Sequence, residues 1–135
     1  MHSSTDFTYG QRTGILRFYG SSDADNIQYL CYAGNGEGLN NPAMQNVSKV
    51  GPLPQGFYAI DHPADDPVVG EFAMRLIPQG SIEMFGRSDF FMHGDNPRMN
   101  HTASEGCIVA SRAAREFVAD KVARGFNTLH VVEGD

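Results

Sequence analysis

His93 and Cys107 are the two side chains of this chain best suited to act together. A free thiol has a pKa of about 8.5 and is a poor nucleophile near neutrality unless a base takes its proton. A histidine within hydrogen-bond reach takes that proton and stabilises the thiolate as an ion pair. In residues 90–109, FFMHGDNPRMNHTASEGCIV, His93 closes the apolar run Phe90, Phe91, Met92, and Cys107 opens a second run with Ile108 and Val109. Gly94, Pro97, Ser104 and Gly106 break regular structure between the two runs. A long structureless connection inside a small domain is more often functional than not. If the runs are neighbouring strands, the loop brings imidazole and thiol to one end of a sheet. Cys107 would then attack a carbonyl carbon. Gly106 would let the backbone approach the substrate closely, with the N–H groups around Gly106 and Cys107 facing the developing oxyanion. The plainer reading stands beside this one: a lone Cys is often a small buried hydrophobe, and a lone His is often a satisfied core or surface residue.

Other residues of the same stretch have two readings each. Asp95 is spaced to orient the His93 imidazole, and it also suits the turn before Asn96-Pro97. His101 is a rival base, although its polar mid-loop setting reads as solvent-exposed. Ser104 suits either a substrate contact or a hydrogen bond that ties the loop. His93, Asp95, His101 and Cys107 are all residue types that ligate zinc, but their spacing matches no tight ligand pattern. The expectation is therefore catalysis with no metal and no organic cofactor; a zinc hydrolase and a noncatalytic binding module are the alternatives. Tyr32, Asn40 and Asn41 suit either a polar groove or ordinary turn and core roles. Papain-like peptidases place the nucleophile before the histidine, and this chain has the reverse order.

Short strands must position these groups. Residues 7–9, 14–18, 27–32, 56–60, 72–77 and 90–93 have strand composition and length, separated by Gly and Pro. Residues 34–48 read as a Gly- and Asn-rich loop, and 61–70 as an acidic one. One helix starts with Ser111 as N-cap, presents Ala114, Phe117, Val118 and Val122 on one face, and stops at Gly125. A last strand covers 128–132. This order predicts a mainly β fold, an antiparallel sandwich or partly closed barrel with one C-terminal helix.

The chain has 135 residues and is 41% hydrophobic, enough to bury one core, so a single domain over 1–135 is expected. The formal charge of -6 argues against nucleic acid, whose phosphates demand clustered Lys and Arg. No run approaches the roughly 20 apolar residues of a membrane span. Met1 is not followed by a legible signal peptide. Cys31 lies in an apolar run and reads as a core residue; a disulfide with Cys107 would silence the nucleophile.

Ser104-Glu105-Gly106-Cys107-Ile108 with an upstream His93-Gly94 resembles the catalytic motif of the L,D-transpeptidases, which remodel bacterial cell walls. Glu105 stands where that motif has a second His, Val109 stands where it has Arg or Asn, and the loop is shorter. These departures match a divergent branch that includes type VI secretion effectors attacking the peptidoglycan of rival bacteria. Residues 9–16 (YGQRTGIL), Tyr32-Ala33-Gly34-Asn35-Gly36 with Asn40-Asn41-Pro42, and residues 51–58 (GPLPQGFY) extend the resemblance over nearly the whole chain. The resemblance implies an L,D-carboxypeptidase or L,D-transpeptidase acting on tetrapeptide stems through a thioester on Cys107, with His93 as base. It also implies a cognate immunity protein, secretion-machine partners, and action in the periplasm of a target cell after synthesis in the cytoplasm.

Overall fold

The computed structural model describes residues 6–19, 27–67, 69–80, 84–88, 90–94 and 106–134. Its strands follow from alternation of apolar residues with period two. Phe7 and Tyr9 turn inward from β1 (Phe7–Gly10), and Leu16 and Phe18 from β2 (Ile15–Phe18). Tyr58 and Ile60 do so from β5 (Gly56–Ile60), Met74 and Leu76 from β7 (Gly70–Pro78), Phe90 and Met92 from β8 (Phe90–His93), and Leu129 and Val131 from β10 (Thr128–Val132). The remaining strands are β3 (Ile27–Leu30), β4 (Tyr32–Ala33), β6 (Ala64–Asp66) and β9 (Ile108–Val109). The sheet order is β3-β2-β1-β10-β5-β7-β8-β9-β4, with β6 pairing separately with β7.

The two ends of that order, β3 and β4, are consecutive in the chain and separated by Cys31 alone. One segment therefore leaves one edge of the sheet and joins the other, which nearly closes it into a barrel. Near-closure also covers the edges that an open sheet would present. One face of α1 (Arg112–Ala123) packs Ala114, Val118 and Val122 into the core, and Phe117 packs against it in part. Ser111 caps the helix by accepting from the Ala114 N–H at 3.1 Å, and Gly125 follows its end at φ +98°.

The sequence expectation of a mainly β chain with one late helix holds, with four differences. The sheet is mixed, since β1 pairs β10 in parallel and β8 pairs β9 in parallel. The expected strand 27–32 divides at Cys31, where the ladder changes partner from β2 to β9. The expected acidic loop 61–70 contains β6, and Asp65 and Asp66 accept from the Phe72 and Val69 N–H groups, which folds it back on β7. The loop 34–48 contains two 3-10 turns, Gly36–Gly38 and Pro42–Met44. Among the described residues no helix is long and apolar enough to cross a membrane.

Candidate active site

β8 and β9 are adjacent and parallel, with Met92 opposite Ile108 and His93 opposite Val109. Paired residues share a face. Phe90, Met92, Ile108 and Ala110 belong to the core cluster, whereas Phe91, His93, Cys107 and Val109 do not. His93 and Cys107 thus lie on the face turned from the core, as diagonal neighbours across two strands. Diagonal positions have Cβ atoms about 7–8 Å apart or somewhat less, within reach of an imidazole turned toward a thiol. The sequence expectation that the two runs are neighbouring strands is met. The two strands run in the same direction.

Backbone groups hold both side chains. The His93 Nδ1 lies 2.8 Å from the Gly94 carbonyl. A carbonyl only accepts, so Nδ1 carries a hydrogen, and in the neutral ring Nε2 bears the lone pair. That is the tautomer a base needs. The Phe91 N–H donates to Cys107 Sγ at 3.3 Å, a contact that favours the charged sulfur. Both residues are buried, His93 at 5% and Cys107 at 9% exposure. The Gly94 carbonyl thus holds the His93 ring from the backbone. Asp95, His101 and Ser104 lie outside the described residues, as does Glu105. Both cysteines are free, and burial pushes the Cys31 thiol up to about 12. Cys31 therefore stays protonated at neutral pH, and its place in the core cluster agrees with the reading from sequence.

Gly106 is constrained on three sides. Its φ is +129°, and an added Cβ would overlap Arg87 Nη2 and lie 2.8 Å from the Phe90 ring. The Gly106 carbonyl accepts from the Leu53 N–H at 2.9 Å. Only glycine fits both the backbone angle and the space.

Arg87 is a site residue that the sequence reading missed. It is 7% exposed, and its guanidinium donates to the Gln45, Pro52 and Gly51 carbonyls at 2.6, 2.8 and 2.9 Å. Burial pushes its pKa down, while attraction to Tyr58 and Cys107 pushes it up. Arginine keeps its proton under such shifts. A fixed positive charge thus lies beside the Gly106-Cys107 turn. Around it, Gln11 donates to the Leu53 carbonyl at 2.8 Å, and Gln55 donates through its backbone N–H to Gln45 and through Nε2 to Gln11. The segments holding Gln11 and Gln55 are therefore tied behind the loop that flanks Cys107.

Tyr32 pairs with Val109 from the other side and is 6% exposed outside the core cluster, so it shares the face of His93. Asn40 and Asn41 are spent locally: Asn40 Oδ1 accepts from the Ala33 N–H, and Asn41 Oδ1 from the Ala43 N–H. Among the described residues no group of three or more His, Cys, Asp or Glu is placed to hold a metal ion. Two of the four zinc-ligand candidates, Asp95 and His101, lie outside those residues.

Residues 28–133 match the model of the Tlde1 domain family. No curated protein and no solved structure matches the chain.

Proposed function

Because the chain belongs to the Tlde1 domain family, a type VI secretion effector family, we propose that it is a cysteine enzyme acting on peptidoglycan tetrapeptide stems. The observation that carries this reading is the placement of His93 and Cys107 on one face of neighbouring strands, with the imidazole Nδ1 held by the Gly94 carbonyl. In the proposed reaction, His93 Nε2 takes the thiol proton. The Cys107 sulfur attacks the carbonyl of the L-centre residue at stem position three. The positive charge of Arg87 favours both the thiolate and the oxyanion that forms next. Collapse of the tetrahedral intermediate expels D-alanine, whose amine receives the proton from His93, and leaves a thioester on Cys107. Water hydrolyses the thioester in the L,D-carboxypeptidase reaction. A D-amino acid or another stem's amine would give exchange or cross-linking instead.

The proposed setting is the periplasm of a target bacterium, with a cognate immunity protein protecting the producing cell. Stem peptides lie mainly outside the cytoplasm, so location should decide toxicity. Made inside a Gram-negative cell the chain should be harmless. Carrying a secretory leader, it should cause swelling, rounding or failed division, with muropeptide analysis showing loss of tetrapeptide stems. Equal killing from the cytoplasm, or killing with tetrapeptides intact, would contradict the proposal and favour a binding or membrane-directed action.

A further inference from the structure

β7, β8 and β9 set a row of side chains on the face turned from the core. Arg75 on β7 pairs with Phe91 on β8, and the Phe91 N–H donates to Cys107 Sγ at 3.3 Å, so Cys107, Phe91 and Arg75 stand level across adjacent strands. Met74 and Leu76 on either side of Arg75, and Phe90 and Met92 on either side of Phe91, belong to the core cluster, which turns Arg75 and Phe91 to the side of the thiol. The Arg75 guanidinium lies over the Phe91 ring, its carbon 4.6 Å from the ring centroid. With strands about 4.8 Å apart, the Arg75 backbone is roughly 10 Å from that of Cys107. The row opens outward, from a buried Cys107 through a half-buried Phe91 to an exposed Arg75.

Two other directions from the thiol are walled. Gly34 follows Ala33, the partner of Ile108, and so flanks Cys107 from the β4 side. A Cβ at Gly34 would overlap the Gly38 carbonyl and lie 2.8 Å from the Val50 carbonyl, so the loop after β4 closes that side. At the Gly106 end stand Arg87, the Phe90 ring and the Gly51 carbonyl. A chain joined to the sulfur therefore has the Phe91 and Arg75 direction for its longer part. Asp61 is the acidic neighbour of Arg75 there: its N–H donates to the Arg75 carbonyl at 2.9 Å, and its carboxylate accepts from the His62 N–H at 2.8 Å. Both Asp61 and Arg75 are exposed, and exposed charges exchange partners at little cost, so a carboxylate arriving with a substrate competes for Arg75. An arginine over an aromatic ring still offers N–H donors at its rim to a planar carboxylate.

We propose that Arg75, resting on Phe91, binds a carboxylate on the retained part of the stem and so sets which stems are accepted; the inference rests on the peptidoglycan reading. The leaving amine takes its proton from His93, which lies two positions beyond Phe91 along β8, in the row of Val109. The retained part then follows the row of Cys107, Phe91 and Arg75. That part of a stem offers two carboxylates: the α-carboxylate of a γ-linked D-glutamate at position two, and the side-chain carboxylate of a diaminopimelate at position three. Both lie within about 7 Å of the attacked carbonyl, the length of two extended residues, and Phe91 is the immediate neighbour of the thiol.

The test uses three tetrapeptide stems: one with diaminopimelate at position three and free D-glutamate at position two, the same stem with that glutamate amidated, and the first stem with lysine at position three. Each is assayed on the same preparations of the wild-type chain, Arg75→Gln and Arg75→Lys. Loss of the carboxylate that Arg75 binds should lower wild-type kcat/KM by about tenfold, chiefly through KM, the scale of a hydrogen bond to a charged group, and the stem that suffers identifies the source. In Arg75→Gln the ratio between that stem and the first should fall toward one. Arg75→Lys should keep part of it, since lysine keeps the charge without the planar fork. A ratio of substrates on one sample is unaffected by loss of folded protein. Equal wild-type turnover of all three stems, or retention of every preference by Arg75→Gln, overturns this inference alone. Turnover of none of them by the wild type overturns the peptidoglycan reading and this inference with it.

Discussion

Cys107→Ala should lower turnover of tetrapeptide stems by about 10⁴-fold or more, because without the sulfur no thioester forms and only binding and positive charge remain. The fold should survive. Cys107 stands outside the core cluster, just before β9, and its replacement by Ala removes one polarisable atom. A loss on the order of 1 kcal/mol, or a few degrees in melting temperature, is the expected scale. Cys31→Ala should show the opposite balance. Cys31 belongs to the core cluster, so its replacement should cost about 1 kcal/mol, with activity retained. Full activity in the Cys107 variant together with sensitivity to chelators would move the assignment to a zinc hydrolase. Circular dichroism melts beside turnover measurements on the two variants separate these outcomes.

The second large effect is expected at His93. His93→Asn should lower turnover by about 10²- to 10⁴-fold, the range for loss of a general base, and should slow alkylation of Cys107 at neutral pH. His101→Ala should leave both nearly unchanged. The alkylation experiment is clean because burial pushes the Cys31 thiol up to about 12. With the folded-state value raised so far, Cys31 is protonated at every pH below that range and reacts only when the protein unfolds. One equivalent of label should therefore report Cys107 in the folded chain. Faster loss of reactivity in the His101 variant than in the His93 variant would reverse the assignment of the base.

Period-two alternation in β1, β2, β5, β8 and β10, and the Ala114, Val118, Val122 stripe of α1, were legible because each is a local pattern that the core rewards directly. Strand direction was not legible. The parallel pairing of β8 with β9 joins residues far apart in sequence, and no local residue pattern encodes it. β6 was hidden because Ala64, Asp65 and Asp66 lack strand-forming side chains; its pairing with β7 is accompanied by carboxylates that accept backbone N–H groups of the next strand and its turn.

The site was legible in its reactive pair and in Gly106, whose neighbours leave no room for a side chain. Its electrostatics were not. Arg87 sits in a short segment with no motif around it, and its importance comes from three carbonyls brought to it by residues 45–52.

Mass spectrometry of the intact protein, quenched in acid during turnover of a tetrapeptide stem, tests the thiol mechanism most directly. The result expected is an adduct of the stem without its terminal D-alanine, held on the peptide that contains Cys107. It should be released by hydroxylamine, unaffected by a chelator and absent from Cys107→Ala. Turnover at full rate with no such adduct, or with the adduct on another residue, would contradict a thioester on Cys107.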